Sequence, residues 1–168
     1  MRNILALLLI ALGAVLVFAS DDIPNLQQPR YNIYTAGQPT EQGFKELADM
    51  GVKTVLNVLP ESECLPDEPG MVTREKMAYL ALPFQTSGFK METLKEFATY
   101  MNSQEKPMLI HCSTGNHVGG LWFAYRVLIE KAPVAPALKE ARRIGMKPEL
   151  EDSLFNWVLD QQDKMASK

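Results

Sequence analysis

The stretch from Pro107 to Trp122 constrains the fold of this chain more than any other. Pro107 to His111 (PMLIH) is a short, continuous apolar run. Cys112 to Gly115 follows at once as a tight loop, and Val118 to Lys131 is a strongly apolar helical segment. A strand that is apolar on both faces belongs in the middle of a parallel sheet with helices above and below it. The helix that leaves its end must be buried as well.

The rest of the chain has the same rhythm. Asn25 to Arg30 reads as an extended lead-in and Tyr31 to Thr35 as a first strand. Gly37, Gln38 and Pro39 break it. Thr40 is placed as an N-cap for a helix reaching Met50, with Phe44, Leu47 and Ala48 on its apolar stripe and Gly51 after its end. Lys53 to Leu59 is a strand stopped by Pro60. An acidic loop over Glu61 to Gly70, a short helix over Met71 to Met77, and a strand over Ala78 to Leu82 come next. Helices are expected over Met91 to Asn102, Pro133 to Arg143 and Glu149 to Lys164, besides the one after Cys112. Strands that alternate with helices predict an α/β domain with a mostly parallel four- to five-stranded sheet flanked by helices. One such domain is expected over residues 31–165, preceded by a lead-in segment over residues 20–30.

The first residues have a separate purpose. Met1, Arg2 and Asn3 make a short positive start, and Ile4 to Phe18 is almost unbroken apolar sequence. Val17 and Ala19 then stand at the −3 and −1 positions of a cleavage site, ahead of Ser20, Asp21 and Asp22. The run is shorter than the roughly 20 residues needed to cross a bilayer. A signal peptide over residues 1–19, cut after Ala19, is expected, with a periplasmic or secreted product that keeps no stable membrane anchor. Net charge is −3 and no basic stripe is visible, which argues against a nucleic-acid partner. Binding of an anion must therefore come from local geometry.

The loop supplies that geometry. Successive backbone N–H groups in a short strand-to-helix loop converge on one point, and the helix N-terminus adds its dipole there. A cysteine in that field is expected to be partly thiolate. A thiolate beside an oxyanion cradle is what attack on a phosphate ester requires.

His-Cys followed by a glycine-containing loop and a helix resembles the signature of the protein tyrosine and dual-specificity phosphatases. More narrowly, HCSTGNHVGGLW is similar to the loop of bacterial beta-lactamase hydrolase-like phosphatases, whose pattern is His-Cys-x-Ser-Gly-Asn-Arg-x-Gly. YTAGQPTEQGFKELADMGVKTVLNV resembles their N-terminal strand, Gly-Gln-Pro turn, helix and strand. The resemblance implies a dual-specificity-phosphatase-like fold, Cys112 as nucleophile, and a phosphate cradle formed by Ser113, Thr114, Gly115, Asn116, His117 and Val118. It implies His111 as support for the loop, equally readable as a core histidine.

Two departures matter. His117 stands where the family has arginine, so a permanent planar fork for two phosphate oxygens is replaced by a shorter side chain with one good donor. No nearby arginine obviously compensates: Arg126 lies two turns along the helix and is expected to point away, which leaves only Arg74 or Arg142 for rescue. The loop after the third strand carries no carboxylate, which leaves Glu61, Glu63, Asp67 and Glu68 as possible general acids or simply a solvated surface. Cys64 lies in the loop after the second strand, at the same end of the sheet as Cys112. It is a possible redox partner, a structural disulfide partner or an isolated thiol.

The leading expectation is a cysteine-dependent phosphatase acting on phosphomonoesters through a phosphocysteine intermediate. An inactive module that binds phosphate or another oxyanion, and a rhodanese-like sulfurtransferase, are the alternatives. No cofactor and no metal site are expected, because neither nucleotide-binding loops nor a standard zinc spacing occurs.

Overall fold

The computed structural model describes residues 20–83, 85 and 89–167. The expected signal peptide and Thr86 to Gly88 of the expected loop lie outside the described residues. No helix among the described residues is long and apolar enough to cross a membrane.

Five strands form one sheet in the order β1-β2-β5-β3-β4. They are β1 (Gln27–Arg30), β2 (Ile33–Ala36), β3 (Thr54–Asn57), β4 (Ala78–Ala81) and β5 (Met108–His111). β2, β5, β3 and β4 are parallel, and β1 runs antiparallel along β2. Every residue of β5 is buried, as expected of a central strand.

Side-chain alternation divides the core. Ile33, Leu56, Met108 and Ile110 face α3 (Met91–Ser103), α4 (Asn116–Ala124), α5 (Val134–Ile144) and α6 (Pro148–Ala166). Tyr34, Val55 and Leu109 face α1 (Glu41–Asp49) and α2 (Glu68–Arg74). Each such aliphatic side chain removed from water contributes roughly 1.5–3 kcal/mol. Trp122, Phe123 and Tyr125 pack into the first of these cores, with Trp122 only 1% exposed.

Several boundaries differ from expectation for physical reasons. The lead-in is part of the domain: Gln27–Arg30 is an edge strand, and Ile23 is 2% exposed. Asn32, at φ 60°, makes the reversal into β2, and Pro29 is tolerated because β1 is an edge. α2 starts at Glu68 rather than at Met71, with Pro69 in its first turn, where the missing N–H costs nothing. The expected acidic loop also contains a 3₁₀ turn over Glu61–Glu63. α4 begins at Asn116 and runs into a π-helical turn over Tyr125–Ile129.

Register fixes where function can sit. Ala36 and Asn57 both lie beside His111, and Ala81 lies beside Asn57. The carboxyl ends of the four parallel strands thus form one row, and their loops leave from the same edge.

Candidate active site

β5 delivers Cys112 to the middle of that row. Gly115 then turns the chain at φ +93°, a conformation that glycine adopts without strain. Space makes the same demand, since a Cβ at Gly115 would lie 2.3 Å from the Ile144 carbonyl oxygen. Asn116 starts α4, so the helix N-terminus opens directly onto the loop.

The sulfur lies inside a cup of donors. The Gly115 amide donates to Cys112 Sγ at 3.1 Å. Burial alone would push the Cys112 thiol up. Hydrogen bonds from the His117 side chain and from the amides of Val118, Thr114 and Gly115 outweigh it and hold the thiol below its ordinary range. His117, in the first turn of α4, therefore touches the sulfur itself. Cys112 is fully buried, while Ser113 and Thr114 on the outer side of the loop are exposed.

The loop is also held from behind. The Gln38 amide donates to the Ser113 carbonyl at 3.1 Å. Asn25 Nδ2 donates to the carbonyls of Thr114 at 3.3 Å and Ile144 at 2.6 Å. Asn116 Oδ1 accepts from the Lys147 amide at 2.8 Å, so its side chain secures the start of α6.

His111 points to the other face of the sheet, 6.2 Å from Phe44 in a T-shaped arrangement. Its Nε2 meets Glu68 Oε1 at 3.0 Å, with both side chains wholly buried. Glu68 also accepts from Asn57 Nδ2 at 2.9 Å and from Gln38 Nε2 at 2.7 Å. Burial would raise its carboxyl, but His111, Gln38 and Asn57 hold it below the usual carboxylate range. Glu68, one of the possible acids, is wholly buried among three polar partners and presents no exposed surface toward a leaving group. Tyr79 stands beside it, and burial with the nearby Glu68 charge pushes that phenol up to about 12.

The other carboxylates are exposed. Asp67 pairs with Arg74 at 3.2 Å. Glu61 lines a cavity of about 430 Å³ with Pro60, Ser62, Pro83 and Gln85, at the carboxyl ends of β3 and β4. Glu63 lies on the same exposed turn. The arginines that could compensate for His117 are engaged elsewhere: Arg74 with Glu41 and Asp67, and Arg142 with Glu151.

Both cysteines are free thiols. Cys64 Sγ lies 3.5 Å from the Pro60 carbonyl oxygen and 3.7 Å from Asn57 Nδ2. Burial, then the charges of Glu68, Glu61 and Glu63, push its thiol up. The two cysteines therefore have opposite acid strengths.

The sequence did not reveal Asn25 and Asn57 as parts of the site. Asn25 reaches carbonyls 89 and 119 residues away and Asn57 a carboxylate 11 residues away, and the sole local sign was the left-handed turn that an asparagine at residue 25 tolerates.

Comparisons with known proteins bear on the family and the fold. A family model described as a DSP-PTPase phosphatase fused to NAD+ kinase matches residues 8–153. No curated protein matches. Among solved structures, a candidate phosphatase of the DUF442 group from Shewanella putrefaciens CN-32 is 26% identical with a TM-score of 0.64, over 80% of this chain and 88% of that one. The catalytic core of the PP-IP phosphatase SIW14 from S. cerevisiae, solved with citrate, is 20% identical with a TM-score of 0.66, over 78% of this chain and 84% of that one. P. aeruginosa TpbA, a cysteine-to-serine variant solved with phosphotyrosine, is 20% identical with a TM-score of 0.61, over 77% and 80%.

Proposed function

This chain belongs to the family of DSP-PTPase phosphatases fused to NAD+ kinase, and from that premise we propose that it hydrolyses phosphomonoesters through a phosphocysteine intermediate on Cys112. One observation carries the reading: the Cys112 sulfur accepts from the Gly115 amide at 3.1 Å where the N-terminus of α4 opens onto the loop, with the His117 side chain and the Thr114 and Val118 amides holding its thiol low. The same donors suit the equatorial oxygens of a phosphoryl group bound over the sulfur. The thiolate attacks phosphorus, the ester P–O bond breaks, and the leaving oxygen takes a proton. Water then attacks the phosphocysteine, the S–P bond breaks, and inorganic phosphate leaves with the thiolate restored.

His117 sets the limit. One imidazole in place of a guanidinium fork gives fewer contacts to the developing charge, and loss of a donor of that kind costs about 10²–10³ in rate. Glu61, on the cavity wall beside the row of strand ends, is the carboxylate we assign to protonation of the leaving group. The substrate class that fits is a phosphomonoester with a good leaving group. The narrower likeness to beta-lactamase hydrolase-like phosphatases rests on the HCSTGNHVGG loop and the Gly-Gln-Pro turn.

The test is hydrolysis of an activated aryl phosphate by the mature protein, its Cys112→Ser variant and its His117→Arg variant. Turnover is expected in the wild type, none in Cys112→Ser, and a gain of tenfold or more, as an order of magnitude, in His117→Arg. Equal rates in the wild type and Cys112→Ser would sink the reading. A second reading, an oxyanion-binding module without turnover, is favoured by one observation: Arg74 and Arg142 are both paired with carboxylates and do not replace the missing guanidinium. Phosphate binding by calorimetry without hydrolysis would select it. We also place the protein outside the cytoplasm; N-terminal sequencing of the native product should begin at Ser20.

A further inference from the structure

The donors around Cys112 point inward only if the carbonyls of the same peptide units point outward. In a trans peptide the C=O and the following N–H are held in one plane on opposite sides. The only cis bond among the described residues is Lys106–Pro107, so the loop peptides are trans. The Ser113 carbonyl is taken by the Gln38 amide at 3.1 Å, which turns the Thr114 N–H the other way. The Thr114 carbonyl is taken by Asn25 Nδ2 at 3.3 Å, which turns the Gly115 N–H toward Cys112 Sγ, 3.1 Å away. Two neighbouring peptide units are thus oriented by groups that never touch the anion.

From this juxtaposition we propose that Asn25 is a positioning residue for the reaction: its side-chain amide, bonded to Thr114 and Ile144, aims the Gly115 amide at the nucleophile. The inference rests on Cys112 being the nucleophile of the proposed reaction, and it assigns a task to the segment just after the expected leader.

Three observations support the assignment. A side-chain amide has two N–H donors, and Asn25 uses them on two carbonyls, Ile144 at 2.6 Å and Thr114 at 3.3 Å. The short bond to Ile144 anchors the amide, so the longer one has a fixed direction. Asn25 itself is held at φ 53°, a left-handed conformation that asparagine accepts more readily than most residues. The segment leading into it is fastened at two points, since the Pro24 carbonyl accepts from the Gly37 amide at 2.7 Å and the Asp22 carbonyl from the Thr40 amide at 2.9 Å. The Gly37–Thr40 turn is packed so closely to the loop that a Cβ at Gly37 would stand 3.0 Å from the Ser113 carbonyl oxygen. One continuous strut therefore runs from the N-terminal segment, through the turn after β2, to the back of the cup.

The test uses the full chain with Asn25→Gly, which removes the donor without penalising the left-handed backbone. Asn25→Asp is the second variant, with the same size and the same tolerance of φ 53° but no donor. Thr54→Ala is the control. It removes the bond from Thr54 Oγ1 to the Glu105 carbonyl at 2.8 Å, at the amino end of β3, and so destabilises the fold without touching the strut or the cup. The readout is the pH midpoint of iodoacetamide alkylation, followed on the Cys112 peptide by mass spectrometry, alongside kcat and KM for an aryl phosphate. Both Asn25 variants are expected to raise the midpoint by about half a unit to one unit, as loss of an aligned donor to a thiolate should. A drop of about tenfold in kcat with little change in KM should accompany it. Thr54→Ala should lower the melting temperature and leave the midpoint in place. An unmoved midpoint in folded Asn25→Gly or Asn25→Asp overturns the proposal, and so does an equal movement in Thr54→Ala. Because alkylation needs no turnover, a chain that hydrolyses nothing would defeat the phosphatase reading while the midpoint still judges Asn25.

Discussion

At Cys112 and Cys64 the same functional group meets two opposite environments. Amides and an imidazole surround the first sulfur; carboxylates and carbonyls surround the second. A thiolate forms above its pKa, so Cys112, held low, becomes reactive at a pH where Cys64, pushed up, is still a thiol. Stepwise alkylation with peptide mapping should therefore modify Cys112 at a lower pH than Cys64. Equal modification at every pH would contradict the assigned environments. The contrast also shows what local sequence can convey. Cys112 was legible because its whole cup comes from residues 114–118, within one short stretch. Glu68 was not: its three partners, Gln38, Asn57 and His111, come from 30, 11 and 43 residues away. Nothing adjacent to Glu68 in the sequence separates a buried anion from a solvated one.

The strands and helices were read from periodicity, and the main core elements are where periodicity put them. β1 was missed as a strand because it is short, polar and half-exposed, and its pairing depends on the turn at Asn32. What secures it is electrostatic. Arg30 holds both Glu130 oxygens, at 2.7 and 2.6 Å, and its guanidinium lies 5.5 Å from the centre of the Trp122 ring. Arg126 bonds Glu130 and Glu140, and Glu140 accepts from Trp122 Nε1 at 2.9 Å. The edge strand is thereby tied to α4, to the π-helical turn and to α5. The Arg30 hydrogen bond, working against partial burial and joined by Arg126, holds the Glu130 carboxyl at about 2. A carboxyl depressed in the folded state stabilises above its unfolded value of about 4.3 and loses that contribution as pH falls toward the folded one. Glu130→Gln should accordingly cost about 1 kcal/mol at neutral pH once solvent screening is allowed for. The gap between variant and wild-type melting temperatures should close between about pH 4 and pH 2. A gap that stays constant over that range would mean that Glu130 stabilises by packing instead of by charge.

For the whole molecule, the site is the point where both faces of the sheet are joined across the row of strand ends. Cys112 belongs to the core under α3 to α6, while its neighbour His111 turns toward α1 and meets Glu68 at the start of α2. Glu68 is an acceptor shared by the turn after β2 (Gln38), β3 (Asn57) and β5 (His111), so one carboxylate holds three of the parallel strands in register where the chemistry is proposed. Its arithmetic is strict. Three donors converge, two on Oε1 and one on Oε2, and only a carboxylate accepts at both oxygens. In Glu68→Gln one oxygen becomes an NH₂ that faces a donor, leaving at least one buried donor unpaired at a cost of about 1–3 kcal/mol. Glu68→Ala removes both acceptors and opens a void among polar groups, which should cost more, about 3–5 kcal/mol. Urea unfolding at neutral pH separates the outcomes, with the order wild type, Gln, Ala expected in the transition midpoints. A Gln variant as stable as the wild type would show that the carboxyl is protonated in the fold. The site would then be braced by a neutral network, and the negative charge assigned here behind His111 would be absent.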